Sequence, residues 1–146
     1  MAVKKNKGFS IVELLVVIAI IGFIGSIIFV QMQQSRSRAR DAEREQEVKS
    51  LQNSFSLFVV NRRNHPVWSS NPTTFQALTC VSSDQIFSQL IAEGALTGPI
   101  CDPQNAAPYI YEYRTTDNLG SAYEIRYSLE TNSISGKSAG QQLATP

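Results

Sequence analysis

The sequence predicts an α+β protein in which a long N-terminal α-helix leads into a small antiparallel β-sheet domain, and three patterns carry that expectation. The 22 residues from Phe9 to Val30 hold 17 of the chain's 62 hydrophobic residues. No Gly or Pro interrupts Gln31 to Val60. Further along, Tyr109, Tyr111 and Tyr113 alternate with Ile110 and Glu112, and Tyr123, Ile125, Tyr127 and Leu129 repeat that period of two, the mark of half-buried strands. Averaged over 146 residues, 42% hydrophobic, 17% charged and +1, the chain resembles an ordinary soluble domain, which hides this division. Outside the apolar run only one domain of roughly 80 to 90 residues is left to fold, which excludes a large multidomain enzyme.

The apolar run comes first. From Leu14 to Val30 there is no charged residue. A helix of that 22-residue run would measure roughly 33 Å, against roughly 30 Å for the hydrocarbon core of a bilayer. Lys4, Lys5 and Lys7 precede it with no acid among the first eight residues, which by the positive-inside rule keeps the N-terminus in the cytoplasm and sends the rest outward. No small-residue A-x-A site follows the run, where Gln31, Met32, Gln33 and Gln34 stand, so removal after it is not expected. A small residue stands before it instead. Gly8, then Phe9, Ser10, Ile11, Val12 and Glu13, would let a peptidase cut ahead of the run and leave it attached.

Gly8–Phe9, with Glu13 four residues on and LLVVIAIIG from Leu14 to Gly22, resembles the signal of the type IV prepilins, including the pseudopilins of type II secretion. The resemblance implies cleavage after Gly8 by a membrane prepilin peptidase and methylation of the new amino terminus at Phe9. It further implies assembly into a helical homopolymer, with an inner-membrane assembly platform and an assembly ATPase as partners, membrane lipid as the surroundings before assembly, and an extracellular or cell-envelope filament after it. The fold implied is pilin-like, with residues 1–8 a leader, 9–30 the transmembrane and filament-core helix, 31–60 its amphipathic continuation, 61–136 the globular domain and 137–146 a flexible tail. Its alternative is a membrane-anchored binding protein, an adhesin or DNA receptor, that never polymerises.

Glu13 is the informative residue, because an unpaired carboxylate in hydrocarbon costs about 2.5–3.5 kcal/mol on insertion scales. The amine freed at Phe9 lies one helical turn away, and in a staggered bundle the amine of one copy meets Glu13 of the next, the role the resemblance assigns. The other reading is a carboxylate that snorkels to the interface or stays protonated. Gly22 and Gly25 each lower helix propensity by about 1 kcal/mol and either permit close helix packing or are ordinary small residues of a membrane helix. Many family members carry proline where Val30 stands, a helix breaker that this chain lacks.

Beyond Val30 the helix turns polar. Val48, Leu51, Phe55, Phe58 and Val59 form one apolar stripe, the expected seat of the C-terminal domain, whereas residues 33–47 are polar nearly all round and read as a solvated stem. Its charges are mixed, Arg36, Arg38, Arg40, Arg44 and Lys49 against Asp41, Glu43, Glu45 and Glu47, which argues against a nucleic-acid or anionic-lipid stripe. The helix should end near Asn61, ahead of Pro66 and Pro72, with Trp68 and Phe75 packing on the stripe. A second helix is predicted over Asp84 to Glu93, opened by a Ser82/Gln85 capping box and stopped by Gly94. Strands then follow over 109–113 and 123–129, with a turn at Asp117 to Gly120, a short third strand around Ser133 to Ser135, and a mobile tail from Gly136.

Candidate chemistry in this half is sparse. Cys80 and Cys101 are too widely spaced for a C-x-x-C redox motif and, with one histidine, too few for a structural zinc site. Outside the membrane a disulfide is expected, two unpaired thiols being the alternative. Asp117, Asn118 and Ser121 offer oxygens for calcium but lack a regular ligand ladder, and a plain turn is the competing reading. His65 is expected as an exposed loop residue. Arg62, Arg63, His65 and Trp68 make a small basic and aromatic set of the sort that binds single-stranded nucleic acid, a partner four residues support only thinly. No nucleotide, nucleophile-elbow or zincin motif occurs, so neither an enzyme nor a cofactor is expected. Loss of residues 1–8 would remove three lysines and no acid, leaving ten basic against twelve acidic residues, or −2.

Overall fold

The computed structural model describes residues 8–146; residues 1–7, with Lys4, Lys5 and Lys7 of the expected 1–8 leader, lie outside the described residues. Helix α1 spans Ile11–Arg62 and continues unbroken through Val30, as expected where no proline interrupts the backbone ladder. The chain divides into two compact units, one ending at Arg36 and the other running Ser37–Pro146. In the first unit every described residue is exposed, including Ile11, Phe23 and Phe29. The apolar part of α1 reaches a mean hydropathy of 2.8 and is the only segment among the described residues long and apolar enough to cross a membrane.

In the Ser37–Pro146 unit the helical stripe buries as its period predicts: Val48, Leu51, Phe55 and Phe58 all face the core. Opposite them stands an antiparallel sheet of β1 (Gln76–Ala77), β2 (Glu112–Thr115), β3 (Tyr123–Leu129) and β4 (Gly140–Ala144), in that spatial order. Register pairs Tyr113 with Ile125 and Thr115 with Tyr123, so Tyr113, Tyr123, Ile125 and Tyr127 share the inner face. The Phe55 ring lies 4.9 Å from that of Tyr113 and 4.8 Å from that of Tyr123. Helix α2 (Gln85–Ala92) adds Ile86, Phe87 and Leu90 to the same core.

Four details differ from the sequence expectations. Asp84, rather than Ser82, caps α2, its carboxylate accepting from the amides of Ile86 and Phe87 and from Thr79. Trp68 is buried, its Nε1 donating to the Tyr113 carbonyl, but Phe75 lies on the other face of the sheet, clasped between the guanidinium groups of Arg114 and Arg126 at 4.3 and 4.1 Å. β2 begins three residues late because Pro108 has no N–H and Tyr109 is spent in a tight turn with Ala106. Finally, the presumed tail forms β4, paired with β3 from Leu129–Gly140 to Ile125–Ala144 and held by Gln52 donating to the Thr145 carbonyl at 2.7 Å, while 133–135 is loop. Only Leu143 and Ala144 of β4 are apolar, so pairing with a free strand edge, not local propensity, orders it.

The polar stem is not solvated throughout. Asp41 and Arg44 are fully buried, and all five N–H donors of Arg44 are used. Nε and Nη2 grip Asp102 at 2.6 and 3.2 Å, Nη1 reaches Asp41 at 2.9 Å and Glu130 at 2.8 Å, and Nη2 also reaches Gln104 at 3.2 Å. Asp41 in turn accepts from the amides of Glu130 and Thr131, and Asp102 from those of Gln104 and Asn105. Arg40 adds a bidentate pair to Glu130 at 2.7 and 2.6 Å. Desolvation opposes the charge on Arg44, but the bonds from Asp102 and Glu130 outweigh it and raise its pKa further. The bonds from Arg40, then Arg44, pull the Glu130 carboxyl from 4.5 down to about 2. Beside this network, Tyr127 donates to Glu45, which also holds Lys137, and Tyr111 donates to Glu47. Burial, with the Glu45 bond, pushes the Tyr127 phenol up to about 12.

Arg44→Ala would leave Asp41 and Asp102 buried without their cation and should cost about 3–5 kcal/mol in urea denaturation of the detergent-solubilised protein, against within about 0.5 kcal/mol for the exposed Arg38→Ala. Because the folded Glu130 pKa is depressed, its contribution, on the order of 2–3 kcal/mol, is present above pH 4.5 and lost as pH falls toward about 2. Glu130→Gln should therefore flatten the fall of melting temperature across that window. Cys80 and Cys101, whose Cα atoms are 5.5 Å apart, form a disulfide spanning 21 residues, and its removal by Cys80→Ala/Cys101→Ala should cost roughly 3 kcal/mol in the same denaturation assay.

Candidate functional site

The residues singled out for processing sit at the start of α1. Gly8 is exposed, and among the described residues a Cβ placed there would meet no atom within 4 Å. Phe9 is 87% exposed and precedes the helix.

Ser10 and Glu13 close the helix end reciprocally. The Val12 amide donates to Ser10 Oγ at 3.3 Å, and the Ser10 amide donates to Glu13 Oε2 at 2.9 Å. This is a capping box, S-x-x-E, which the sequence carries as Ser10-Ile11-Val12-Glu13 and which a search for that spacing alone would find. Its effect is to hold the Glu13 carboxylate over the helix N-terminus, one residue from Phe9, where the positive end of the helix dipole also favours it. Glu13 is the only charged residue from Gly8 to Ser35. Gly22 and Gly25 have open space where a Cβ would stand, and Ser26 returns its hydroxyl to the Phe23 carbonyl at 2.7 Å, leaving that stretch without an unpaired side-chain polar group.

The other candidate residues do not converge on this segment. The Arg62, Arg63, His65 and Trp68 set is dispersed: Arg62 pairs with Glu93 at 2.5 Å, Trp68 is in the core, and Arg63 stands at positive φ. With its aromatic member buried, the set offers no platform on which a base could stack. His65 is half-buried rather than exposed, its ring edge-on to Tyr123 at 4.6 Å and its pKa lowered by burial. The Gly120 turn fixes that loop: Gly120 has φ +72, accepts from the His65 amide at 2.9 Å, and a Cβ there would come within 2.5 Å of the His65 carbonyl oxygen. Asp117 closes the same turn by accepting from the Leu119 and Ser121 amides, and hydrogen bonding from Ser121, its hydroxyl first and then its amide, lowers the Asp117 pKa, so the carboxylate serves the turn. Among the described residues there is no cluster of three or more His, Cys, Asp or Glu side chains placed to hold a metal.

Residues 3–29 match the prokaryotic N-terminal methylation motif, the class III signal that is the hallmark of type IV pilin-like prepilins. The match and the apolar part of α1 that it largely covers fit anchoring in a membrane before assembly. No curated protein and no solved structure matches the chain.

Proposed function

We propose that this prepilin-like chain is a structural subunit of a type IV pilus or related pseudopilus, cleaved by prepilin peptidase after Gly8, methylated at Phe9 and assembled through α1. The observation that carries the reading is the placement of one carboxylate, Glu13, at the head of the otherwise uncharged and exposed apolar part of α1, inside the methylation motif matched over residues 3–29. In a bilayer that carboxylate needs a positive partner. Cleavage after Gly8 creates one, since the Phe9 nitrogen changes from a neutral amide to an ammonium. Lipid covers the exposed side chains of α1 before assembly and the same side chains of neighbouring copies cover them after it. The three lysines ahead of Gly8 set the N-terminus in the cytoplasm, which leaves the Ser37–Pro146 unit on the outer side.

The capping geometry refines the part played by Glu13. In the uncleaved chain its carboxylate is occupied by the Ser10 amide. A second oxygen remains to meet the ammonium of a neighbouring copy, so one residue caps its own helix and fixes the axial register of the next. A head-to-tail contact of this kind does not close on itself and propagates as a helix. A membrane-anchored binding protein that never polymerises would carry the same anchor but need neither the cleavage nor the carboxylate.

Mass analysis of the protein from its native membrane should find an N-terminus at N-methylated Phe9, and an intact Met1 terminus would overturn the processing step. Glu13→Gln keeps an oxygen for the Ser10 amide but removes the charge; it should be cleaved normally and enter sheared filaments at less than about a tenth of the wild-type amount, a factor of ten being about 1.4 kcal/mol in equilibrium terms. Filaments at wild-type abundance from that variant would overturn the register argument.

A further inference from the structure

Two open grooves border the stem of α1 in the Ser37–Pro146 unit, and they carry opposite charge. One, of about 360 Å³, is lined by α1 and the 99–101 segment, with Glu43 and Glu47 its only charged lining residues. The other, of about 450 Å³, is lined by α1 and the 131–133 segment, with Arg38 its only charged lining residue. Neither is neutralised from within. Glu43 and Arg38 are both exposed, and neither has an ion-pair or hydrogen-bond partner among the described residues. Glu47 accepts only from the Tyr111 hydroxyl. The rest of the stem differs, since Arg40 pairs with Glu130, Arg44 with Asp41, Asp102 and Glu130, and Glu45 with Lys137.

Helix geometry explains why Arg38 and Glu43 do not satisfy each other: five residues at about 100° apiece put them roughly 140° apart round α1, on opposite flanks of its core-facing side. A solvated charge needs no partner, but unpaired grooves of opposite sign on opposite flanks are what a head-to-tail contact between copies requires. We infer that the Arg38 groove of one copy docks on the Glu43–Glu47 groove of the next, guanidinium to Glu43 carboxylate. The contact uses a different flank of each copy, so it does not close on itself and every added copy presents a fresh groove. It deepens the proposed assembly and rests on that reading, naming the surface through which the folded units meet. Its sense agrees with the helix contact: Arg38 on Glu43 displaces one copy by five residues along α1, in the same direction as the four residues that bring Phe9 to Glu13. Lys49, an unpaired cation on the same flank as Arg38, would need a displacement in the opposite direction. An exposed ion pair adds little affinity, whereas like charges in contact are costly, so the pair acts chiefly by fixing which flank meets which.

Sheared filaments from the source cells test the contact. Arg38→Glu and Glu43→Arg, both at exposed positions, should each be cleaved to a Phe9 terminus and keep the wild-type melting temperature, yet lower filament abundance roughly tenfold through like-charge contact. The double variant Arg38→Glu/Glu43→Arg should restore it. In filaments of Arg38→Lys, which keeps the charge, a carbodiimide should join the amine introduced at position 38 to the Glu43 carboxylate of another copy, a cross-link read by mass spectrometry and lost on adding Glu43→Gln. Wild-type abundance in either single variant, no recovery in the double variant, or no cross-link in Arg38→Lys filaments would each overturn the contact while wild-type filaments persist. Wild-type cells without filaments of this chain would instead overturn the assembly reading, and the contact with it.

Discussion

A single guanidinium, that of Arg44, is the constraint on which the folded unit most depends. It is taken wholly out of water, and such a transfer is tolerated only when every donor finds an acceptor and the charge finds counter-charges. The structure supplies three carboxylates: Asp41 from the same helix, Asp102 from the segment after the disulfide, and Glu130 from the end of β3. Each is in turn anchored by backbone amides or by Arg40. The consequence is geometric, because two loops distant in sequence are tied to one helical turn, and the sheet takes its place over the Val48–Phe58 stripe between those ties and the aromatic core.

The disulfide and the hydrogen-bonded tyrosines extend the same arrangement. Cys101 immediately precedes Asp102, so the covalent link to Cys80 and the ion pair to Arg44 hold one segment from two sides. Tyr111 and Tyr127 cross from the sheet to Glu47 and Glu45 on α1, placing aromatic area in the core while their hydroxyls satisfy carboxylates at its edge. A small domain with a modest apolar core is thus held by polar contacts of long sequence separation, which also explains why a helix turn that looks solvated is interior.

The first unit shows the opposite balance. Its helix buries nothing and satisfies its own backbone, with Glu13 and Ser10 closing the end. A surface of that extent and apolarity is not stable in water, which fits anchoring in a membrane. The proposed function follows from this division of labour: one unit supplies a helix whose only charged residue before Arg36 is Glu13 at its head, and the other a folded body held by polar contacts.

The amino-acid sequence by itself determined the features that depend on near neighbours in the chain. The uncharged run, the 3.6-residue stripe from Val48 to Val59 and the period-two strand at Tyr123–Leu129 are local regularities, and each predicts its element without knowledge of the fold. The Ser10–Glu13 capping box was equally local. Only the tertiary structure decided whatever rests on partners far away in sequence. Arg44 looks like one charge among many on a polar stem until Asp102 and Glu130 reach it across 58 and 86 residues. Gly140 to Ala144 become a strand because β3 offers a free edge, Phe75 leaves the helix for two arginines on the far side of the sheet, and His65 becomes half-buried because its ring packs edge-on against Tyr123. Burial sets the value of a charge or a hydrogen bond, and burial is a property of the folded chain rather than of any short stretch of it.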